Sequence, residues 1–275
     1  MTLLVLGGTA DARRVATTLH QQGMTVIYSV AGLVRAPQVP CAVVSGGFTQ
    51  FGGLQRYMEQ QAIRAILDIT HPFAQNMSAA AVAAARACSV PCWRFHRNAW
   101  QQQPGDRWQQ FSDWNELIPA LADKRSVFLT AGQLTPEVLA GLVRLPLQHN
   151  GTASAPESRG YILRTAAPPK IRLPTTMRWI KAIGPFSEAD ERALMVAHRV
   201  DALVCKNSGG NATVAKLTVA RQLGILVLML RRPAFPSADE EFSDEACCVD
   251  AVLQWYRKFK PEPAACSRGP KTGIQ

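Results

Sequence analysis

Carboxylates are scarce in this 275-residue sequence. Its 20 Asp and Glu residues are outnumbered by 30 Lys and Arg, for a formal net charge of +10. Such an excess concentrates anionic partners at the surface. The basic residues are scattered, however, and the densest run, Arg257 to Lys260, lies near the C-terminal end. Without a basic helix or an aromatic RNP-type strand, nucleic acid is not the expected partner. Long hydrophobic runs are also missing. No stretch approaches the roughly 18 apolar residues that span a bilayer, and the opening run LLVL is too short for a signal-peptide core. A cytoplasmic chain with no membrane contact is expected. The seven cysteines (41, 88, 92, 205, 247, 248 and 266) form no C-x-x-C pair, and no His stands at zinc-ligand spacing. They read as free thiols, mostly small core residues, and no metal site is expected. There is no internal repeat and no feature that demands a stable oligomer, so a monomer or weak oligomer is expected.

What is present is a regular alternation. The apolar LLVL ends in glycine, as a buried parallel strand does, and an amphipathic stretch follows from Asp11 to about Gln22, where Gly23 stops it. Further strands are expected at 24–29, 41–45, 65–69 and 91–95, with helices near 53–62 and 73–88. A Gln-rich loop precedes a helical stretch near 113–123. A fresh strand begins at Val127, followed by strands at 143–147, 161–165, 179–182, 202–205 and 225–230 and by helices near 135–141, 187–198 and 211–223. This order predicts an α/β protein of two parallel layers with right-handed crossovers. The expected division is 1–125, 126–260 and a disordered tail at 261–275, with 150–157 a loop.

In parallel α/β sheets ligands sit at the carboxyl ends of strands. The first such end reads Gly7-Gly8-Thr9-Ala10-Asp11-Ala12. Against G-x-G-x-x-G/A, Gly7 and Ala12 match and Thr9 replaces the middle glycine. Backbone N–H groups there can approach a pyrophosphate at the positive helix end. Thr9 is a candidate phosphate donor and Asp11 a candidate helix cap; a tight turn without ligand is the alternative. No Asp or Glu occurs between Asp11 and Glu59, so the acid that holds an NAD ribose about twenty positions on is missing. Ser29 and Arg35, near Ala31 and Gly32, suit a 2′-phosphate instead. That favours NADPH, with NADH possible.

Other strand ends are similarly polar. Gly46, Gly47 and Phe48 follow the third strand. Thr70, His71 and Pro72 follow the fourth, where Thr70 or His71 caps a helix and Pro72 fits its first turn. His71 is either a cap or a proton donor at a ligand edge. In the second half Lys206, Asn207, Ser208, Gly209 and Gly210 form a second candidate anion cradle, which lacks the Walker A order. Thr130, Gly132 and Gln133 make a weaker polar edge. Tyr256 and Lys260 show Y-x-x-x-K spacing at the far C-terminal helix end, where catalysis is not expected. His198 and Lys216 fall on helices as solvated faces.

These motifs, in this order, resemble the precorrin-6A reductase family, including its branch that acts on the cobalt-bearing ring. The resemblance spans about residues 3–233 and rests on LGGTADAR, SVAG (29–32), GGF (46–48), DITHPFA (68–74), FHRNAW (95–100), FLTAGQ (128–133), GPFSEADERAL (184–194) and CKNSGGNATVAKL (205–217). It implies two Rossmann-like parallel-sheet domains with a cleft between them, NADPH bound chiefly by the first domain and a polycarboxylate tetrapyrrole-derived ring lying across both. The implied reaction is hydride transfer to a conjugated carbon with a proton added beside it. The cofactor loops then become Gly7 to Asp11, Ser29 to Gly32, Gly46 to Phe48 and Thr70 to Phe73, with Lys206 to Gly210 closing the cleft. Family members often have arginine after S-x-A-G, where this chain has Leu33. His71 and Lys206 are the candidate proton donors or electrostatic supports, with bulk water the alternative source of the proton. The rival class is a non-catalytic NADP-binding regulator on the same fold.

Overall fold

The computed structural model describes residues 1–32, 37–148 and 159–259. Strand β1 (Thr2–Leu6) is apolar without alternation and buried from Leu3 onward, because both faces of a covered parallel sheet meet helices. It feeds α1 (Ala10–Gln21), which buries Ala12, Val15, Ala16 and Leu19. Gly23, at φ +84°, ends that helix in the left-handed region. There follow β2 (Thr25–Val30), β3 (Ala42–Ser45), a 3-10 turn at Phe48–Phe51, α2 (Leu54–Gln60), β4 (Ile63–Asp68), α3 (Gln75–Ala87) and β5 (Cys92–Phe95). Next come β6 (Trp108–Phe111), α4 (Trp114–Leu117), a second 3-10 turn, β7 (Ser126–Leu129), α5 (Pro136–Arg144), β8 (Gly160–Thr165) and β9 (Met177–Lys181). The chain ends in α6 (Glu188–Ala197), β10 (Ala202–Lys206), α7 (Ala215–Gln222), β11 (Leu226–Leu230), β12 (Glu240–Phe242) and α8 (Glu245–Phe259).

Among the described residues these strands form two six-stranded sheets, ordered β12-β5-β4-β1-β2-β3 and β6-β11-β10-β7-β8-β9. Every pairing is parallel. The α/β expectation holds, but the chain does not change sheet at 125/126. It crosses to the second sheet between β5 and β6 and returns between β11 and β12. β6 pairs with β11 (Val227 with Trp108), and β12 pairs with β5 (Glu240 with Trp93). The last helix follows β12 home, placing Cys248, Val252 and Leu253 in one apolar cluster with Leu3, Val5 and α1. Both exchanged strands are edge strands with polar exposed positions, Gln109 and Gln110 in one and Glu240 and Glu241 in the other. Neither makes the apolar run that marks an interior strand. The strand expected at 143–147 is absent. Helix α5 instead continues through Arg144, with Leu142 buried, and Pro146 follows it. The 150–157 loop and the 261–275 tail lie outside the described residues.

Candidate active site

The two crossing segments, 96–107 and 231–239, leave the carboxyl ends of β5 and β11, and two adjoining cavities are lined by carboxyl-end loops of the two sheets. The first, of about 640 Å³, is walled by the ends of β1 to β4. Gly7 donates its N–H to Ser29 O at 2.8 Å, pinning the β1–α1 loop to β2. A Cβ on Gly7 would stand 2.3 Å from Tyr28 Cζ, so only glycine lets this loop lie on the Tyr28 ring. Gly8, at φ +106°, donates its N–H to the Tyr28 hydroxyl at 3.0 Å. Built Cβ atoms on Gly8 and Gly32 meet nothing within 4 Å, and both positions line the cavity. With Arg13 on the wall and no carboxylate among the described lining residues, this space fits an anionic nucleotide.

The Thr9 hydroxyl is committed elsewhere. It accepts from Ala12 N at 3.0 Å as the α1 cap and donates to Ile69 O at 2.9 Å, so the expected phosphate contact does not fit. Asp11 is likewise not the cap; it pairs with Arg97 at 2.6 Å and Arg14 at 2.7 Å. Nor do Thr70 or His71 cap α3, which starts at Gln75 without a side-chain cap. Thr70 instead donates its N–H and hydroxyl to the buried Asp68 carboxylate at 3.0 and 2.6 Å. Pro72 precedes the helix rather than standing in its first turn.

His71 Nε2 lies 3.1 Å from Ser208 Oγ, a contact between the two sheets' loops. Burial, reinforced by Arg97, Lys206, Arg232 and Lys216, pushes its pKa down to about 4. The imidazole is therefore neutral at physiological pH, and the proton-donor role expected of it does not fit. In the unfolded chain it takes up a proton near 6.5. Stability contributed by the neutral ring is thus present above 6.5 and lost as pH falls toward about 4, on the order of 3 kcal/mol. An NMR titration should find this ring still neutral at pH 5.5; a midpoint near 6.5 would contradict the cationic wall.

The second cavity, of about 990 Å³, lies between the sheets and shares Gly8, His71, Ala166, Ile183 and Gly184 with the first. The loop after β10 forms one side. Its carbonyls are tied down by the crossing segments: Arg97 Nε donates to Ser208 O and Gly209 O, both at 2.9 Å, and Trp100 Nε1 to Gly210 O at 2.9 Å. Arg232 Nε donates to Asn207 O at 3.0 Å. Gly209 is at φ +67°, and a Cβ there would stand 2.1 Å from Asn98 O. Gly209 thus makes room for the crossing chain rather than for a ligand. Asn207 clasps Trp100 through N–H and C=O at 2.8 and 3.2 Å. The Lys206 ammonium lies 5.1 Å from the Phe73 ring centroid, and burial lowers its pKa. Arg164 makes two bonds to Glu191, at 3.0 and 2.8 Å, and lies over the Phe186 ring at 3.8 Å.

Of the expected site residues, Gly7, Gly8, Ser29, Ala31, Gly32, Gly46, Gly47, Phe48, Thr70 and His71 line the first cavity. Thr9, Ala10, Asp11, Lys206, Ser208, Gly209 and Gly210 line the second, again with Gly8 and His71. Pro72 and Asn207 line neither, and Arg35 lies outside the described residues. The glycine loops of the two halves open on one crevice. Sequence reasoning missed Arg97, Arg164 and Phe186 as cleft residues, although FHRNAW and GPFSEADERAL contain two of them. It misread Lys216, which is 4% exposed and lines the second cavity rather than facing solvent.

The family model for the precorrin-6x reductase CbiJ/CobK matches residues 2–257. The chain belongs to that family. It is 39% identical over 252 residues to the precorrin-6A reductase of Rhodococcus erythropolis, covering 90% of this chain and 95% of the relative. It is 38% identical over 264 residues to that of Rhodobacter capsulatus, covering 95% and 98%. The solved structure of CobK precorrin-6A reductase superposes with a TM-score of 0.79 at 34% identity, covering 94% of this chain and 96% of that one. The chain is accordingly an oxidoreductase, not the nucleotide-binding regulator that stood as the alternative. No helix among the described residues is long and apolar enough to cross a membrane.

Proposed function

We propose that this chain is a cytoplasmic, NADPH-dependent reductase of precorrin-6A, converting it to the 6B form. The observation behind this reading is the shared wall of the two cavities at Gly8, His71, Ala166, Ile183 and Gly184. That junction lets a dinucleotide along the first sheet meet a flat ring held between the sheets. Bound NADPH supplies the hydride, so no side-chain nucleophile is required. The chain's own residues bind, orient and exclude water. Arg13 and the carboxylate-free end of β2 favour a 2′-phosphate over a bare ribose. Neutral His71 braces the junction through Ser208. Lys206 gives electrostatic support and, with Arg97, supplies cationic groups for the substrate's carboxylate arms.

The test is to mix the purified chain with precorrin-6A and either NADPH or NADH and to follow the visible spectrum, with the cobalt-bearing ring as a second arm. NADPH should be consumed in step with the spectral change. Nucleotide binding without consumption would sink the reading. In the same assay Lys206→Ala should raise the KM for the ring roughly ten- to hundredfold, the scale of a lost hydrogen bond to a charged group. An unchanged KM would remove Lys206 from the carboxylate-binding wall.

A further inference from the structure

Reduction of a ring carbon by hydride needs a proton at the neighbouring carbon, and the crevice between the two sheets is lined by titratable groups that can supply it. The described titratable groups lining the second cavity are three arginines, two carboxylates, His71 and two lysines. Arginine cannot give up its proton. Burial raises the Asp11 pKa, but hydrogen bonds from Arg97 and Arg14 outweigh it and hold the group below the usual carboxylate value. Glu245 is ion-paired with Arg14 at 2.7 Å. His71, at about 4, is already deprotonated. Two lysines are left.

Of these, Lys216 is the fully enclosed one. It stands in the first turn of α7 and is only 4% exposed, so no solvated face explains it. Its ammonium donates to Thr130 Oγ1 at 3.2 Å, and that hydroxyl in turn donates to Val204 O at 3.0 Å, which fixes its lone pair toward Nζ. The Trp100 ring lies 5.4 Å from Nζ. The nearby carboxylate, Glu191, is committed to Arg164 by two hydrogen bonds, and the Cys205 thiol, pushed up to about 11 by burial, is neutral. Among the described residues the charge therefore has no ion-pair partner, although burying an unpaired ammonium is costly and an apolar side chain would satisfy the fold. A cost of that kind persists at a site that uses it.

We propose that Lys216 is the proton donor of the reduction, an assignment that rests on the reductase reading. Nζ–H breaks to form the new C–H bond beside the carbon that accepts the hydride. The neutral amine left behind regains its proton from water, so each turnover consumes one hydride and one proton. Burial lowers the pKa of this amine, which makes it the better acid, and the Arg164 guanidinium that shares the wall acts in the same sense.

The test compares wild type with Lys216→Arg, which keeps the charge but cannot release a proton, and Lys216→Met, which suits a buried apolar site if arginine is too large. Both should bind NADPH and, by optical titration, the ring. Both should lose saturating turnover by about 100- to 1,000-fold. Wild-type kcat should fall as pH rises through the amine's titration, and that limb should vanish in Lys216→Met. In D2O the wild type should place a single deuterium with one stereochemistry at the protonated carbon, whereas the variants should give both epimers by product NMR. Lys216→Arg turning over within threefold of wild type overturns the assignment. So does a loss confined to KM, which would make Lys216 a carboxylate anchor, or an alkaline limb that disappears in Lys206→Ala instead. A wild type that leaves NADPH unconsumed sinks the reductase reading itself, and the assignment with it.

Discussion

Arg94→Ala is expected to lower the unfolding free energy by about 3–5 kcal/mol, the cost of stranding a buried charge. Arg94 is 1% exposed and its partner Asp68 is fully buried, with Nε 3.3 Å from the carboxylate. The same guanidinium donates to Pro236 O at 2.9 Å and to Glu241 at 2.8 Å, and it lies over the Phe235 ring. One side chain therefore holds the strand that returns from the second sheet and neutralises the acid that anchors Thr70 beside His71. Denaturant unfolding followed by fluorescence of neighbouring Trp93 should show the loss. Glu241→Ala is the control. Its carboxylate is 53% exposed, so its removal should cost no more than about 1 kcal/mol. Equal effects from the two changes would mean that Asp68 does not need its partner.

Gly7→Ala is expected to cut kcat/KM for NADPH on the order of 100-fold, the effect of displacing a binding loop by about 1 Å. The added methyl would stand 2.3–2.5 Å from Cζ, Cε2 and Oη of Tyr28, a ring with 0% exposure. Either the ring or the loop must shift, and Gly8 N–H then loses the Tyr28 hydroxyl. Tyr28→Phe removes that hydrogen bond alone and should cost about 1 kcal/mol, a factor of about five. Nucleotide titration and steady-state kinetics separate the two. A Gly7→Ala chain that binds NADPH as tightly as wild type would place the nucleotide elsewhere.

The readable parts of this site were local. A strand that runs into Gly7-Gly8, with a polar residue to cap the next helix, announces a ligand edge because both the strand period and the turn chemistry act over a few residues. The same reasoning assigned the wrong partners to polar side chains at those edges. Thr9, Asp11, Thr70 and Asn207 each looked available for a ligand or a cap. For Thr9, Asp11 and Asn207 the actual partners, Ile69, Arg97 and Trp100, come from the end of another strand and from a crossing segment, while Thr70 turns back to Asp68 two residues before it. Lys216 shows the limit most plainly. On a helical wheel it reads as a solvated face, and only the tertiary approach of Thr130, just beyond β7, and of Trp100 shows it to be enclosed.

The amino-acid order thus determined, without further information, the α/β alternation, the glycine loops at four strand ends, the cationic character and the family resemblance. Each of these depends on neighbours along the chain. The exchange of β6 and β12 between sheets, the coming together of the two cavities and the burial of an uncompensated lysine were decided by the tertiary structure alone. Edge strands need apolar side chains on little of their surface and take their hydrogen bonds from whichever sheet edge is open. Their short, polar sequences therefore name no partner, and that choice belongs to the packing of the whole chain.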